Sequence, residues 1–106
     1  MAIGFSGTAA AAAKPRDPGD DCRGIICLYK QYNYGGPPVT FDPFRQTYKD
    51  LPGDYVHNVG SFVANAPGCF IRWTGGRQNR EVHTGDRDTH YGRGFGKLME
   101  AVGKNC

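Results

Sequence analysis

Leucine, a strong helix former, occurs only three times in this 106-residue chain, at positions 28, 51 and 98. Tyrosine and phenylalanine occur six times each, and glycine occurs 16 times. Aromatic side chains favour strands, whereas glycine favours tight turns. The scarcity of leucine therefore argues against a helical protein, and the remaining composition predicts an all-β fold of short strands.

The chain also lacks a strong charge and a long apolar run. Its 13 Lys and Arg against 10 Asp and Glu give a net charge of +3, which is too small to indicate a nucleic-acid partner. No apolar stretch is long enough to span a bilayer. The length suits a single domain with one core. We therefore expect no nucleic-acid partner and no membrane span.

Cysteine is the next informative residue type, with four copies at Cys22, Cys27, Cys69 and Cys106. An even number in a small chain indicates two disulfides and an oxidising, extracellular compartment. Zinc is disfavoured, because four residues separate Cys22 from Cys27 and no second close pair follows. Four cysteines allow three connectivities. We favour Cys22–Cys27 with Cys69–Cys106, since the second bridge would pin the C-terminal segment to a predicted strand.

The first 21 residues differ in composition from residues 22–106, which we interpret as one domain. "MAIGFSGTAAAAA" carries no charged side chain, and "KPRDPGDD" follows it. Three interpretations stay open: the end of a secretory signal peptide, an unstructured tail, or an N-terminal arm that docks on a partner. If the arm binds in an extended form, Ile3 and Phe5 point to the same side and would contact that partner.

From Cys22 onward the pattern predicts strands separated by turns. The predicted strands are "GIICLYK" (24–30), "PPVTF" (37–41), "GSFVAN" (60–65), "CFIRW" (69–73) and "REVHT" (80–84). We expect polar connections at 41–55 and 85–94, and a short amphipathic helix or frayed turn at 95–103. This arrangement is typical of a small two-sheet sandwich.

Tyr29, Tyr34 and Gly36 form the pattern aromatic-x-x-x-x-aromatic-x-Gly, and Ser61 stands 25 residues after the glycine. This combination resembles the signature of the βγ-crystallin Greek-key motif. The resemblance implies a folded hairpin in which Tyr34 packs back on the strand of Tyr29. It implies that Gly36 has a positive φ and that Ser61 ties the hairpin down. Tyr32 is expected at the more exposed tip.

"GCFIRW", residues 68–73, resembles the opening strand of a second such motif, with Trp73 in the place of Tyr29. Position 78 has no aromatic residue and position 80 has no glycine, so the second motif is degenerate. The expected architecture is thus a βγ-crystallin-like Greek-key two-sheet sandwich with an extended N-terminal arm.

Within that family, "CRGIICLYKQYNYGG" (22–36) is similar to small secreted proteins of actinobacteria. These include peptidase inhibitors, antimicrobial killer-type toxins and the small adaptor of umbrella-shaped antibacterial toxin particles. The uncharged arm favours the adaptor, which would join two components of an extracellular toxin complex. An inhibitor would instead present a rigid loop, and "DPFRQTYKDLPGD" (42–54) and "TGGRQNRE" (74–81) are the candidates.

Other chemistry is weaker. Many βγ domains bind calcium, but "HNVGSF" (57–62) keeps only Asn58 and Ser61 of the ligand pattern, and calcium needs six to eight oxygens. The polar loop with His83, Asp86, Asp88 and His90 is better explained as solvated. We expect no cofactor, no metal and no catalysis. Arginines near the single tryptophan predict a mixed protein-contact surface that includes Arg72, Arg77 and Arg80.

Overall fold

The computed structural model describes residues 21–106, which form two antiparallel four-stranded sheets. The strands are β1 (Ile26–Tyr29), β2 (Val39–Phe41), β3 (Tyr48–Asp50), β4 (Ser61–Ala64), β5 (Gly68–Arg72), β6 (Gln78–Val82), β7 (Arg87–Asp88) and β8 (Ala101–Gly103). Three 3-10 turns lie at Tyr32–Tyr34, Tyr91–Arg93 and Phe95–Lys97. The all-β prediction is confirmed, and none of these elements is a helix that could cross a membrane.

The two sheets exchange strands. The first sheet has the order β2-β1-β4-β7 and the second has the order β3-β8-β5-β6. Three strands of the first sheet therefore come from the first half of the chain and one, β7, comes from the second half. The second sheet is built the same way, with β3 as the strand received from the first half. The two halves of the chain thus repeat one connection pattern.

The core lies between the sheets, because alternate residues of each strand point to opposite faces. In β1, Ile26 and Leu28 face the core, and both are fully buried. Phe62 of the first sheet meets Phe70 of the second edge-on, with ring centroids 5.0 Å apart. Tyr91 packs against both phenylalanines, and burial raises its pKa to about 12.

Each sheet also buries a smaller cluster on its outer face, and a disulfide belongs to each cluster. Cys22–Cys27 lies on the first sheet and Cys69–Cys106 on the second, which confirms the predicted connectivity. The first cluster contains Cys22, Cys27, Tyr29 and Val63, and the second contains Cys69, Ile71 and Ala101.

All five predicted strands are observed, and each strand end lies within two residues of the predicted end. Three predictions for connecting segments are wrong. The connection at 41–55 contains β3, and the loop at 85–94 contains the short β7. The predicted helix or frayed turn at 95–103 begins with a 3-10 turn but ends in β8, a buried strand between β3 and β5. These three strands carry few β-favouring residues, and pairing with strands distant in sequence defines them.

A candidate partner-binding face

The first hairpin brings Tyr29, Tyr34, Gly36 and Ser61 together around a folded corner. Tyr29 is buried, and the Tyr34 ring meets it edge-on with centroids 5.8 Å apart. The Tyr34 backbone N–H donates to the Ser61 hydroxyl oxygen at 2.9 Å, and that hydroxyl donates to the Gln31 carbonyl at 2.6 Å. Gly36 has a φ of +80°, a backbone conformation that residues with a side chain rarely adopt. Ser61, which is fully buried, therefore fastens the hairpin to β4.

In the second hairpin, which joins β5 and β6, Glu100 holds the hairpin backbone as Ser61 does in the first. Oε1 of Glu100 accepts the backbone N–H groups of Trp73 at 2.6 Å and Thr74 at 3.0 Å. Oε2 accepts the Thr74 hydroxyl at 2.6 Å and lies 2.6 Å from Nε2 of His57. The Thr74 hydroxyl, the two N–H groups and His57 together lower the pKa of Glu100 to about 2. Sequence reasoning missed Glu100, because a single glutamate before a short strand carries no pattern.

Trp73, which the resemblance puts in the place of Tyr29, is far more exposed than Tyr29. It follows the last residue of β5 and its side chain is 45% exposed, whereas Tyr29 is 5% exposed. Gln78 stands where the motif would place a second aromatic ring, so no tyrosine folds back over Trp73 as Tyr34 folds over Tyr29. The indole of Trp73 is therefore left partly exposed.

Two neighbouring side chains, Tyr48 and Arg77, hold the partly exposed indole in place. The guanidinium of Arg77 lies 4.8 Å from the Trp73 ring, within cation–π distance. The indole N–H donates to the Tyr48 hydroxyl oxygen at 2.8 Å, and that hydroxyl donates to Asp50. Burial, followed by the bond to Asp50, raises the pKa of Tyr48. We call Tyr48, Trp73 and Arg77 the aromatic face.

The aromatic face lies on the outer side of the second sheet. Strand alternation places Trp73 on the same side as Ile71, and Tyr48 is paired with Gly103 of β8. Ala101 and Gly103 are the small residues of β8 on this side. The two aromatic rings, with centroids 6.2 Å apart, therefore lie on the same side of this sheet as Ile71 and Ala101.

The three predicted partner-binding arginines all lie on the β5–β6 hairpin, but not on one side of it. Arg77 belongs to the aromatic face. Arg72 and Arg80 share the opposite side, since Arg80 is paired with the core residue Phe70. Across residues 21–106, none of the three arginines forms an ion pair with a carboxylate.

A second exposed group lies on the turn after β2. Phe44 is 73% exposed, and the side chain of Arg45 is 85% exposed. Asp42 fixes this turn, because its Oδ1 accepts the N–H of Phe44 and its carbonyl accepts the N–H groups of Arg45 and Gln46. A cleft of about 230 Å³ lies beside Phe44 and is walled partly by Pro67.

The side chains of the calcium-like stretch are engaged in other contacts. Ser61 fastens the first hairpin, His57 contacts Glu100, and the Asn58 amide donates to the Asp54 carbonyl. In the described part of the chain, no group of three His, Cys, Asp or Glu residues is placed to hold a metal ion.

The polar loop that follows β6 contains β7, which pairs with β4, and His90 of this loop contacts Tyr32. His83 Nδ1 lies 3.6 Å from Asp86, and the His90 N–H donates to Asp88. The contacts of the described residues do not bring these side chains together in one site. The predicted arm contacts Ile3 and Phe5 lie outside the described residues.

Comparison with known proteins identifies relatives in Dictyostelium discoideum. An uncharacterized gerABC family protein is 34% identical over 83 residues, which cover 78% of this chain and 73% of the relative. A second uncharacterized gerABC family protein is 29% identical, with 87% of this chain and 49% of the relative covered. Spore germination protein 1 is 27% identical, with 74% of this chain and 62% of the relative covered.

No family model and no solved structure matches the chain. The chain spans about half the length of the second relative and somewhat under two thirds of the third. The identity to the first relative, over most of both chains, establishes the kinship: the chain belongs to the gerABC family.

Proposed function

We propose that this protein is a non-enzymatic, secreted binding module that recognises a protein partner through its aromatic face. The observation that carries the proposal is the partly exposed indole of Trp73, which is 45% exposed beside a 40% exposed Tyr48. The part of the indole that stays exposed to water is apolar surface that a partner could bury. Trp, Tyr and Arg are also the residues that most often dominate the energy of protein interfaces.

Rigidity supports the same proposal. Glu100 holds the backbone of Trp73, and Tyr48 holds its indole N–H. Arg77 is kept over the ring by its Nε, which donates to the Asn79 side chain at 3.0 Å. Side chains that are ordered before binding lose less conformational entropy on association. The aromatic face is therefore preorganised for a partner.

We further propose that the fold is a βγ-crystallin-like Greek-key sandwich with a degenerate second motif. Two observations support this assignment. The exchange of β3 and β7 between the sheets gives both halves of the chain one connection pattern. The folded corner of Tyr29, Tyr34 and Ser61 has the contacts that the aromatic-glycine signature implies.

Extracellular location is part of the proposal, and the two disulfides support it, since such bonds persist in oxidising compartments. An adaptor that joins two components is the narrower role that we propose, with the antibacterial toxin complex as the setting implied by the resemblance. The relatives' names do not mention a toxin. One relative is named a spore germination protein, and participation in that process is an alternative setting.

The test uses three single alanine variants of the whole chain, Trp73→Ala, Tyr48→Ala and Tyr32→Ala, each immobilised and exposed to the extracellular fluid of the producing organism. Tyr32 is a matched control, because it is 41% exposed and contacts His90 instead of the aromatic face. We expect one protein to be retained by the wild type and the Tyr32 variant and lost by the other two.

The retained protein must then be purified and titrated against the same variants. Equal binding by the Trp73 and Tyr32 variants would show that the aromatic face is not the binding site. Melting temperatures of all variants establish that each is folded, and exposed substitutions of this kind usually change stability little.

A peptidase inhibitor is the second candidate, and the exposed turn at Phe44 and Arg45 favours it. A bulky apolar and a basic side chain are side by side on a turn that Asp42 holds rigid. Phe44→Ala should abolish inhibition of a chymotrypsin-like protease, and Arg45→Ala should abolish inhibition of a trypsin-like protease. If the wild type leaves both proteases fully active, or if Trp73→Ala removes the inhibition equally, this candidate is wrong.

A further inference from the structure

We infer that the partner presents an acidic peptide segment to the β5–β6 hairpin, with carboxylates that pair with Arg77, Arg72 and Arg80. This inference rests on the proposed function and names the chemistry of the partner. It starts from an imbalance: three guanidinium groups lie on one hairpin, and no carboxylate in residues 21–106 forms an ion pair with any of them. Positive charge that has no counterpart within the domain is available to a partner.

The contacts that hold the arginines are made with neutral groups. Nη1 of Arg72 donates to the Gln78 side chain at 3.2 Å, and Nε of Arg77 donates to the Asn79 side chain at 3.0 Å. Nη1 of Arg80 donates to the Asn79 carbonyl at 3.1 Å. Amide oxygens fix the direction of a guanidinium without neutralising it. The hairpin therefore orients three charges without pairing any of them with a carboxylate.

Arg77 is the best placed of the three for a bidentate contact. Its Nε is used by Asn79 and its plane lies over Trp73, so the two terminal nitrogens are the free end of the group. Two parallel N–H donors match the two oxygens of a carboxylate. A carboxylate bound there would lie beside the indole, where an apolar group of the same peptide could cover the ring.

Arg72 and Arg80 form a second position on the other side of the hairpin. Arg72 is paired with Gln78, two residues before Arg80, so the two arginines are diagonal neighbours on one side of the strand pair. Arg80 lies 4.9 Å from the ring of Phe95, which restricts its motion. The Nε atom of Arg72 is buried and has no hydrogen-bond partner. A segment that wraps the edge strand β6 could reach both sides.

The acidic side chains near the hairpin are already engaged. Glu81 lies 3.8 Å from His83, and both oxygens of Glu100 accept hydrogen bonds from the hairpin backbone, Thr74 and His57. Neither carboxylate forms an ion pair with the arginines. Asp50, which accepts the Tyr48 hydroxyl on the aromatic face, forms none with them either.

A peptide fits this surface better than a sulfated polysaccharide, which also carries negative charge. The indole N–H and the hydroxyl hydrogen of the aromatic face are both committed, to Tyr48 and to Asp50. Recognition of a hydroxyl-rich sugar would need such polar groups, whereas an apolar peptide side chain needs only the exposed ring surfaces. The arginines and the rings together thus favour acidic residues alternating with apolar ones.

The probe is a phage library of random dodecapeptides, selected on the immobilised whole protein and on the Arg77→Gln/Arg80→Gln variant. We expect peptides selected on the wild type to be enriched in Asp and Glu beside aromatic residues, and peptides selected on the variant to lack that enrichment. The peptide that binds the wild-type protein best is then synthesised, together with a version in which each Glu is replaced by Gln and each Asp by Asn. The affinity of the unmodified peptide should be roughly tenfold or more lower for the Arg77→Gln variant than for the wild type.

Two controls separate the site from net charge and from geometry. Arg45→Gln removes the same charge from an arginine that is paired with Asp42 at 3.6 Å, and it should leave the affinity unchanged. Arg77→Lys keeps the charge but loses the planar fork, so its affinity should lie between those of the wild type and Arg77→Gln. Affinity for the acidic peptide should also weaken as the salt concentration rises.

Three results would overturn the inference: no enrichment of acidic peptides, equal weakening by Arg45→Gln, or binding of heparin without binding of acidic peptides. The proposed function fails separately. If a protein partner is lost by Trp73→Ala but retained by Arg77→Gln/Arg80→Gln, the aromatic face is the binding site and the partner is not recognised by its acidity. If neither variant changes retention of that partner, both proposals are wrong.

Discussion

Replacing Ser61 with alanine removes one oxygen atom that makes two hydrogen bonds to the first hairpin. The Tyr34 N–H, 2.9 Å from Oγ, loses its acceptor, and the Gln31 carbonyl, 2.6 Å from Oγ, loses its donor. The cavity left by one hydroxyl is small, so the cost comes almost entirely from these two unpaired groups. Each orphaned group costs about 1–2 kcal/mol when water cannot fully replace the partner. We therefore expect Ser61→Ala to lower the free energy of unfolding by about 2–4 kcal/mol.

Thr74→Ala is the matched control for this substitution. It also deletes a hydroxyl that bridges a hairpin and a strand, at 2.6 Å from Glu100, but the site is exposed. Water can replace the lost donor there, and Glu100 keeps its bonds to two backbone N–H groups. We expect a loss of about 0.5–1.5 kcal/mol for Thr74→Ala.

Urea unfolding followed by far-ultraviolet circular dichroism measures both variants. The midpoints should shift while the slope of free energy against urea stays constant, which shows that the unfolded state is unchanged. The reasoning would be refuted if Ser61→Ala lay within about 0.5 kcal/mol of the wild type, or if the two alanine variants were equally destabilised.

Three further predictions concern other sites. Gly60→Ala should cost roughly 3 kcal/mol or more in urea unfolding, because the added Cβ would lie 2.5 Å from the Lys30 carbonyl oxygen, whereas Gly53→Ala, with no atom within 4 Å of its Cβ, should be nearly neutral. Glu100 has a folded-state pKa of about 2 against an ordinary 4.5, so its contribution to stability is complete above about pH 5 and is lost as the pH falls towards 2. Glu100→Gln should therefore flatten the acid limb of the stability–pH curve, and an unchanged limb would contradict the role of this carboxylate. Tyr91 should ionise near pH 12 in an ultraviolet titration, and Tyr91→Phe should remove that late transition while leaving the earlier tyrosine transitions in place.

The strands that could be predicted from the sequence are those whose own residues favour a strand. "IICLY" and "CFI" are continuous apolar segments of β-favouring residues, and both form buried strands. The corner of Tyr34 could be predicted from a fixed spacing to Gly36. The disulfide connectivity was favoured because a bridge from Cys69 to Cys106 would pin the C-terminal segment to the predicted strand that begins at Cys69. In each case the signal is local or depends on a short motif.

The strands that were missed have no such signal. β8 consists of Ala101, Val102 and Gly103, of which two have low strand propensity, and it forms because β3 and β5 flank it. β3 is polar and pairs with β8, about 50 residues further along the chain. Both strands form because they pair with strands distant in sequence, and a single sequence does not show such pairing.

The candidate face could be predicted only in part, because some of its contacts also depend on tertiary pairing. Trp73 and Arg77 are close in sequence, so an arginine-rich aromatic surface could be proposed. Tyr48 is 25 residues away from Trp73, and the bond between them depends on the strand order of the second sheet. Arg72 and Arg80 were expected beside Arg77, but the alternation of side chains in the hairpin places them on its other side.

The exchange of β3 and β7 has a consequence for how the chain reaches its native state. Neither four-stranded sheet is complete until the other half of the described chain has supplied its third strand, so we expect no stable intermediate made of one half. Unfolding should then be a single cooperative transition, and folding should be slow for a chain of this size, because many of the required pairings join residues distant in sequence. The same interlocking lets two separate chains trade their third strands at high concentration, so swapped dimers are the natural misassembly of this architecture.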